Sequence, residues 1–227
     1  MATERELSEV AETYLETVYQ LRETDGSART GAIADALGVT AGSVSPTMAS
    51  LQRRGLVRRR EGHRGFELTP KGERVVMQIL RKRRLAERLL TDMLGMKWTE
   101  VHTTAARFAH GITAELADLL ERKLKNPATC PHGNPIPNSS GSIKQSKTEF
   151  LGELGSGQEA TLASVTMNKK DLLRYLERVG LVPGASVRVE EKCPFDGALI
   201  VNISGTRVPV GKYVASSIRI TRNNARE

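Results

Sequence analysis

The sequence predicts a mainly α-helical N-terminal part, with a winged helix-turn-helix and further helices, followed by a small β-barrel-like domain. Three observations predict it. Apolar residues recur at helical spacing through most of the chain up to Leu124. A Pro-, Gly- and Ser-rich stretch between Asn126 and Ser146 breaks that pattern. Short β-rich runs separated by turn residues fill the remainder.

The first helix spans about Ser8 to Thr24, with Val10, Tyr14, Leu15, Val18, Tyr19 and Leu21 on its apolar side, and Asp25-Gly26-Ser27 stops it. A second helix covers Arg29–Leu37, with Ile33, Ala34 and Leu37 inward and Gly38 just past its end. Thr40 is placed to cap a third helix that runs to Gln52. The pattern Ile33-Ala34-x-x-Leu37-Gly38-Val39-Thr40-x-x-Ser43-Val44 is a helix-turn-helix signature. It sets the small polar residues Thr40, Ser43, Ser45 and Thr47 near the front of the third helix, where they can approach base edges and phosphates. Pro46 removes a backbone hydrogen bond there. It marks either a kinked or late-starting helix or an apolar contact to a thymine methyl.

Leu56–Arg60, a glycine-bearing turn, and Phe66–Thr69 read as a two-stranded wing with arginines along it. Arg29, Arg53, Arg60 and Arg64 are the phosphate-contact candidates. Thr69-Pro70-Lys71-Gly72 opens a long helix whose periodicity runs from Glu73 to Leu94, where Gly95 interrupts it. Helices over about Thr99–Gly111 and Ile112–Leu124 follow. Apolar helices beyond a compact DNA-reading unit need a partner surface, and a two-fold homodimer is the economical expectation. In the C-terminal part, Thr161–Val165, Ser186–Glu190, Leu199–Ile203, Thr206–Val210 and Ser217–Ile220 are strand candidates, and Asp171–Val179 is a helix.

The formal net charge is +8. Between Arg53 and Arg88 thirteen basic side chains face four acidic ones, so this stretch alone accounts for the excess. A charge run can be a solvated helix face. Here it coincides with the DNA-reading pattern and points to double-stranded DNA. The acidic, polar N-terminus has no secretory character, and no apolar run is long enough to span a membrane, so a cytoplasmic protein without a membrane partner is expected. Two cysteines, Cys130 and Cys193, make no disulfide framework. No nucleophile-histidine-acid order, phosphate loop or paired-carboxylate arrangement stands out, which argues against an enzyme and a small-molecule substrate.

Several stretches carry a family resemblance: Arg84-Leu85-Ala86-Glu87-Arg88-Leu89-Leu90-Thr91-Asp92, Glu100-Val101-His102 and Gly133-Asn134-Pro135-Ile136-Pro137. With them the chain resembles the DtxR/IdeR/MntR family of metal-dependent repressors over nearly its whole length. The resemblance implies a winged helix-turn-helix DNA-binding domain over residues 1–75 and a helical dimerisation and metal-binding domain over 76–126. A linker over 127–147 and an SH3-like, FeoA-type domain over 148–227 complete it. It implies a homodimer that binds palindromic operators when Fe²⁺ or Mn²⁺ is loaded.

The family's ligand positions match unevenly. The primary site falls on Thr13, Ala106, Ala109 and His110, of which only the histidine is a donor. The ancillary site falls on Arg83, Glu87 and His102, and an arginine places a cation where a ligand belongs. Glu16 matches the extra first-helix glutamate of the manganese-type variant. The sequence therefore offers Glu87, His102, His110 and Glu16 as a relocated divalent-metal site, beside the alternative that no metal binds and another signal controls the protein. Cys130 and His132 form a separate pair, suited to metal ligation or a redox-sensitive thiol, or to a plain loop turn.

Overall fold

The computed structural model describes residues 7–60, 65–144, 147–194 and 197–222. The chain divides into two compact units: Met1–Arg83 with Ala106–Asp118 and Pro137–Ser142, and Arg84–Ala105 with Leu119–Ile136 and Ile143–Glu227.

In the first unit, α1 (Glu9–Asp25), α2 (Thr30–Leu37) and α3 (Ala41–Arg53) pack with the hairpin β1 (Val57–Arg59) and β2 (Phe66–Leu68). Ser8 caps α1 by accepting from the Ala11 N–H, and Gly26, in the left-handed region, ends it. Tyr14, Leu15, Val18, Ile33, Val44, Met48, Leu51, Phe66 and Leu68 close one core. Tyr14, Leu15, Val18 and Ile33 are among the inward positions that helical periodicity assigns, whereas Val10, placed on the same apolar side of α1, is exposed at its N-terminal end. Thr40 caps α3 by accepting from Ser43 N–H. The helix starts at Ala41, ahead of Pro46, so the late-starting alternative does not hold. Ala28 extends the wing, its carbonyl accepting from Phe66 N–H at 2.8 Å. Thr69 opens α4 (Pro70–Arg88) by accepting from Gly72 N–H. Only glycine fits at 72, because a Cβ there would stand 1.9 Å from the Leu56 carbonyl oxygen.

The helical periodicity that predicts one helix to Leu94 is realised as α4 followed by a π-turn, Leu89–Met93, ending near Gly95. Helix α5 is Val101–His110 and α6 is Ala114–Lys123. The second unit carries an antiparallel six-stranded sheet in the order β3-β8-β4-β5-β6-β7. Its strands are β3 (Glu149–Phe150), β4 (Glu159–Val165), β5 (Ser186–Lys192), β6 (Leu199–Ile203), β7 (Thr206–Val210) and β8 (Ile218–Arg222). Helix α7 (Lys170–Arg178) and the short α8 (Lys212–Ala215) complete it. Alternate residues of the strands fill one core with Leu173 and Leu176 of α7. The sequence misses the two-residue strand β3, which is too short to show alternation.

Candidate metal centre and nucleic-acid interface

The segment expected to be a linker is partly a built loop of the second unit. Cys130 N–H donates to the Asn134 carbonyl, Ile136 N–H to Ala128, and Gly133 N–H to Cys130, which closes a tight hairpin. Arg84 and Arg88, one turn apart on α4, hold it. Arg84 donates to the Pro135 carbonyl, and Arg88 Nε to the Thr129 carbonyl at 2.6 Å. The other side docks on the end of β4, with Val165 N–H donating to the His132 carbonyl at 2.9 Å and Asn134 Nδ2 to the Val165 carbonyl at 2.8 Å. Gly133 has φ +82°, and a Cβ there would meet the Ala163 carbonyl oxygen at 2.0 Å.

This loop presents Cys130 and His132 to Glu87. One donor atom from each of the three lies within 4.8 Å of the others, and all three side chains are buried. Among the described residues this is the one such group of His, Cys, Asp and Glu donors. Glu87 Oε2 is 3.5 Å from His132 Nδ1, and Glu87 Oε1 is 2.9 Å from His102 Nδ1. Cys130 Sγ is 3.9 Å from His132 Nδ1. His132 Nε2 lies 2.8 Å from the Trp98 carbonyl oxygen. A carbonyl only accepts, so Nε2 carries the proton, and in the neutral ring Nδ1 offers its lone pair to the cluster.

The electrostatics of the ion-free cluster are those of a paired buried charge. Burial opposes the imidazolium, but hydrogen bonds to Cys130 and Glu87 outweigh it and push His132 up to about 10. Burial alone would raise Glu87, and the bonds from His102 and His132 instead hold it well below the usual carboxylate range. A carboxylate, a thiol and two imidazoles are the donor types that first-row divalent ions take. The outer hydrogen bond from His132 Nε2–H to a backbone carbonyl is the arrangement that orients a ligating histidine.

The structure does not bring the four residues Glu87, His102, His110 and Glu16 together. Glu16 forms a buried ion pair with Arg83, both side chains under a tenth exposed. His110 Nδ1 is 3.3 Å from Glu12 Oε1. Arg83 occupies Glu16 with a permanent cation, and only Glu87 and His102 remain side by side. Sequence reasoning kept Cys130 and His132 apart from Glu87, and it missed the Trp98 carbonyl, which leaves no side-chain signal.

The DNA-facing candidates lie in the first unit. Arg29 is the exposed N-cap residue of α2. On α3, Ser43, Ser45, Pro46 and Arg53 are exposed and Thr47 is half-buried. Thr40 Oγ1 and Ser43 Oγ share a 2.9 Å hydrogen bond. Arg60 is held by the Gly26 carbonyl at 2.9 Å. Arg64 lies outside the described residues. The basic run counted toward DNA splits along α4. Arg81 pairs with Asp118 at 2.7 Å and Arg83 with Glu16, both buried, while Arg84 and Arg88 hold the Cys130–His132 loop.

The sequence matches three family descriptions in order: "Iron dependent repressor, N-terminal DNA binding domain" over residues 6–65, "Iron dependent repressor, metal binding and dimerisation domain" over 69–138, and "FeoA domain" over 151–222. It is 33% identical over 229 residues to "Iron-dependent repressor IdeR" of Mycobacterium leprae, a match covering 96% of this chain and 99% of that one. It is 38% identical over 133 residues to "Diphtheria toxin repressor" of Corynebacterium diphtheriae, covering 59% of this chain and 58% of that one. Among solved structures it resembles the IdeR of T. acidophilum (TM-score 0.84, 28% identity, 96% of this chain and 100% of that one). It also resembles a manganese-dependent transcriptional repressor in complex with manganese (TM-score 0.84, 29% identity, 93% and 99%). The fold from α1 to β8, the order of the three domains and these relatives agree: the chain belongs to the iron-dependent repressor family and is a DNA-binding transcriptional repressor of the DtxR type, not an enzyme.

Proposed function

We propose that this protein is a cytoplasmic homodimeric repressor whose DNA binding is controlled by a divalent metal held at Glu87, Cys130 and His132, with His102 as a further donor. The observation that supports the reading is the convergence of those three buried side chains within 4.8 Å. The positions that match the family's primary site, Thr13, Ala106 and Ala109, supply no side-chain ligand for such an ion. A thiolate beside imidazoles and a carboxylate favours Fe²⁺ or Zn²⁺ over Mn²⁺. Relatives that are solved with manganese and with Zn²⁺ have the same fold at 28–29% identity.

At the operator, α3 enters the major groove with Ser43, Ser45, Pro46 and Thr47, while Thr40 fixes the start of that helix. Arg29 and Arg53 contact phosphates, with Arg60 at the end of the first wing strand. The apolar side chains left exposed on α5 and α6, Phe108, Leu116 and Leu119, are the surface a second copy would cover. A palindromic operator matches that two-fold arrangement. Within the metal centre, Glu87 and the Cys130 thiolate supply the charge that balances the ion, and Trp98 holds the His132 ring in the ligating tautomer.

The test is a mobility-shift assay of the full chain against a genomic operator pool with Fe²⁺, Mn²⁺, Zn²⁺ or chelator, repeated with Cys130→Ala and His132→Ala. Metal-dependent binding that both substitutions abolish is expected. Equal binding with metal and with chelator would overturn metal control, and no binding to any duplex would overturn the operator reading.

A further inference from the structure

We infer that Trp98 is the positioning residue through which the SH3-like domain sets the metal affinity of the Glu87–Cys130–His132 centre. The inference rests on the metal-centre reading above. Trp98 makes three contacts that point in different directions. Its backbone carbonyl takes the His132 Nε2 proton at 2.8 Å. Its indole Nε1–H donates to Glu177 Oε1 of α7, also at 2.8 Å. Its ring packs on the core of the SH3-like domain and stands 5.6 Å from the His132 ring.

The adjoining chain is gripped by the same helix. Glu100 accepts from Arg174 at 2.7 Å and from Lys170 at 3.1 Å, both on α7. Residues 98–100 lead into α5, whose second residue is His102. One helix of the SH3-like domain therefore orients both histidines of the centre. It fixes His132 through the Trp98 carbonyl and His102 through the start of α5. Metal ligands whose outer hydrogen bond is removed typically lose affinity by about 10- to 100-fold. By thermodynamic reciprocity, an ion bound at the centre tightens the seating of α7 on Trp98 by the same factor.

The test uses the full-length protein titrated anaerobically with Co²⁺. The thiolate-to-cobalt absorption reports ligation by Cys130 directly. Glu177→Ala and Trp98→Phe each remove the indole-to-carboxylate bond and leave every ligand in place. Both are expected to weaken Co²⁺ binding severalfold, up to the roughly tenfold that loss of the outer hydrogen bond itself would cause, while the band keeps its shape. Glu177→Gln keeps an acceptor oxygen and is expected to bind close to the unaltered chain. Zn²⁺ saturation is expected to shift the emission of Trp98, the chain's single tryptophan, in the unaltered protein and in Glu177→Gln, and not in Glu177→Ala. Unchanged Co²⁺ affinity in both Glu177→Ala and Trp98→Phe would overturn the inference, as would equal losses in Glu177→Gln and Glu177→Ala. A missing thiolate band in the unaltered chain would instead overturn the metal centre itself. Metal-free melting curves separate loss of coupling from loss of fold.

Discussion

Removing Glu16 is expected to destabilise the first unit by about 3–5 kcal/mol, because it leaves the Arg83 guanidinium buried without its carboxylate. The two side chains are 4% and 8% exposed and link α1 to α4. The comparison is internal to the fold. Arg22 and Glu73 join the same two helices, but their side chains are 33% and 45% exposed. Glu73→Ala should therefore cost no more than about 1 kcal/mol. The assay is thermal unfolding of the chelator-treated protein, followed by helical circular dichroism. Glu16→Ala should lower the midpoint by about 10 °C and Glu73→Ala by a few degrees at most. The double substitution Glu16→Leu with Arg83→Met should recover most of the loss, since similar-volume apolar residues commonly replace a buried ion pair without penalty. If Glu16→Ala costs no more than Glu73→Ala, the buried-pair reasoning is refuted. The same variant also separates structure from ligation: Co²⁺ affinity should not change, whereas a Glu16 that ligates would lose it.

Three other outcomes are expected. Gly133→Ala places a methyl against the Ala163 carbonyl at a positive φ, so it should cost well over 1 kcal/mol and abolish the cobalt band. Zn²⁺ affinity measured by chelator competition should rise with pH by about tenfold per unit for each proton released. The sign follows from His132: its pKa is raised to about 10, so near neutral pH its proton must leave before an ion binds. In the ion-free protein that raised pKa stabilises the fold fully below about 6.5, and the contribution is lost as pH rises toward 10. Finally, operator binding should weaken steeply with salt, and Arg29→Ala or Arg53→Ala should each reduce the logarithmic slope by about 1.

The helix-turn-helix was legible in the sequence because its signals are local. Thr40 as a cap, Gly38 at a left-handed turn and Ile33 and Ala34 facing inward each depend on a few neighbours. Strands β6 and β7 were legible for the same reason, their two-residue turn at Ser204-Gly205 lying between alternating runs. The candidate metal centre was not, because its members stand on α4, α5 and a distant loop. Pro131, Gly133 and Pro135 give that loop the composition of a linker, and its burial comes from docking on β4 and on two arginines. Those arginines illustrate the opposite error. A charge count sees Arg81, Arg83, Arg84 and Arg88 as DNA-facing cations, while packing gives each a protein partner. One local signal was available, since Arg84, Glu87 and Arg88 share a helix face and a carboxylate between two arginines suits a built surface better than a phosphate-binding one.

The spacing of the candidate metal-binding residues along the chain has a consequence for folding. An ion bound by both Glu87 and His132 ties together positions separated by about 45 residues, as a cross-link does. By the entropy of loop closure, a permanent link of that span restricts the unfolded chain by about 4 kcal/mol. A bound ion would act as a removable staple of that kind, so that ion availability would set how long the folded protein persists as well as when it binds an operator.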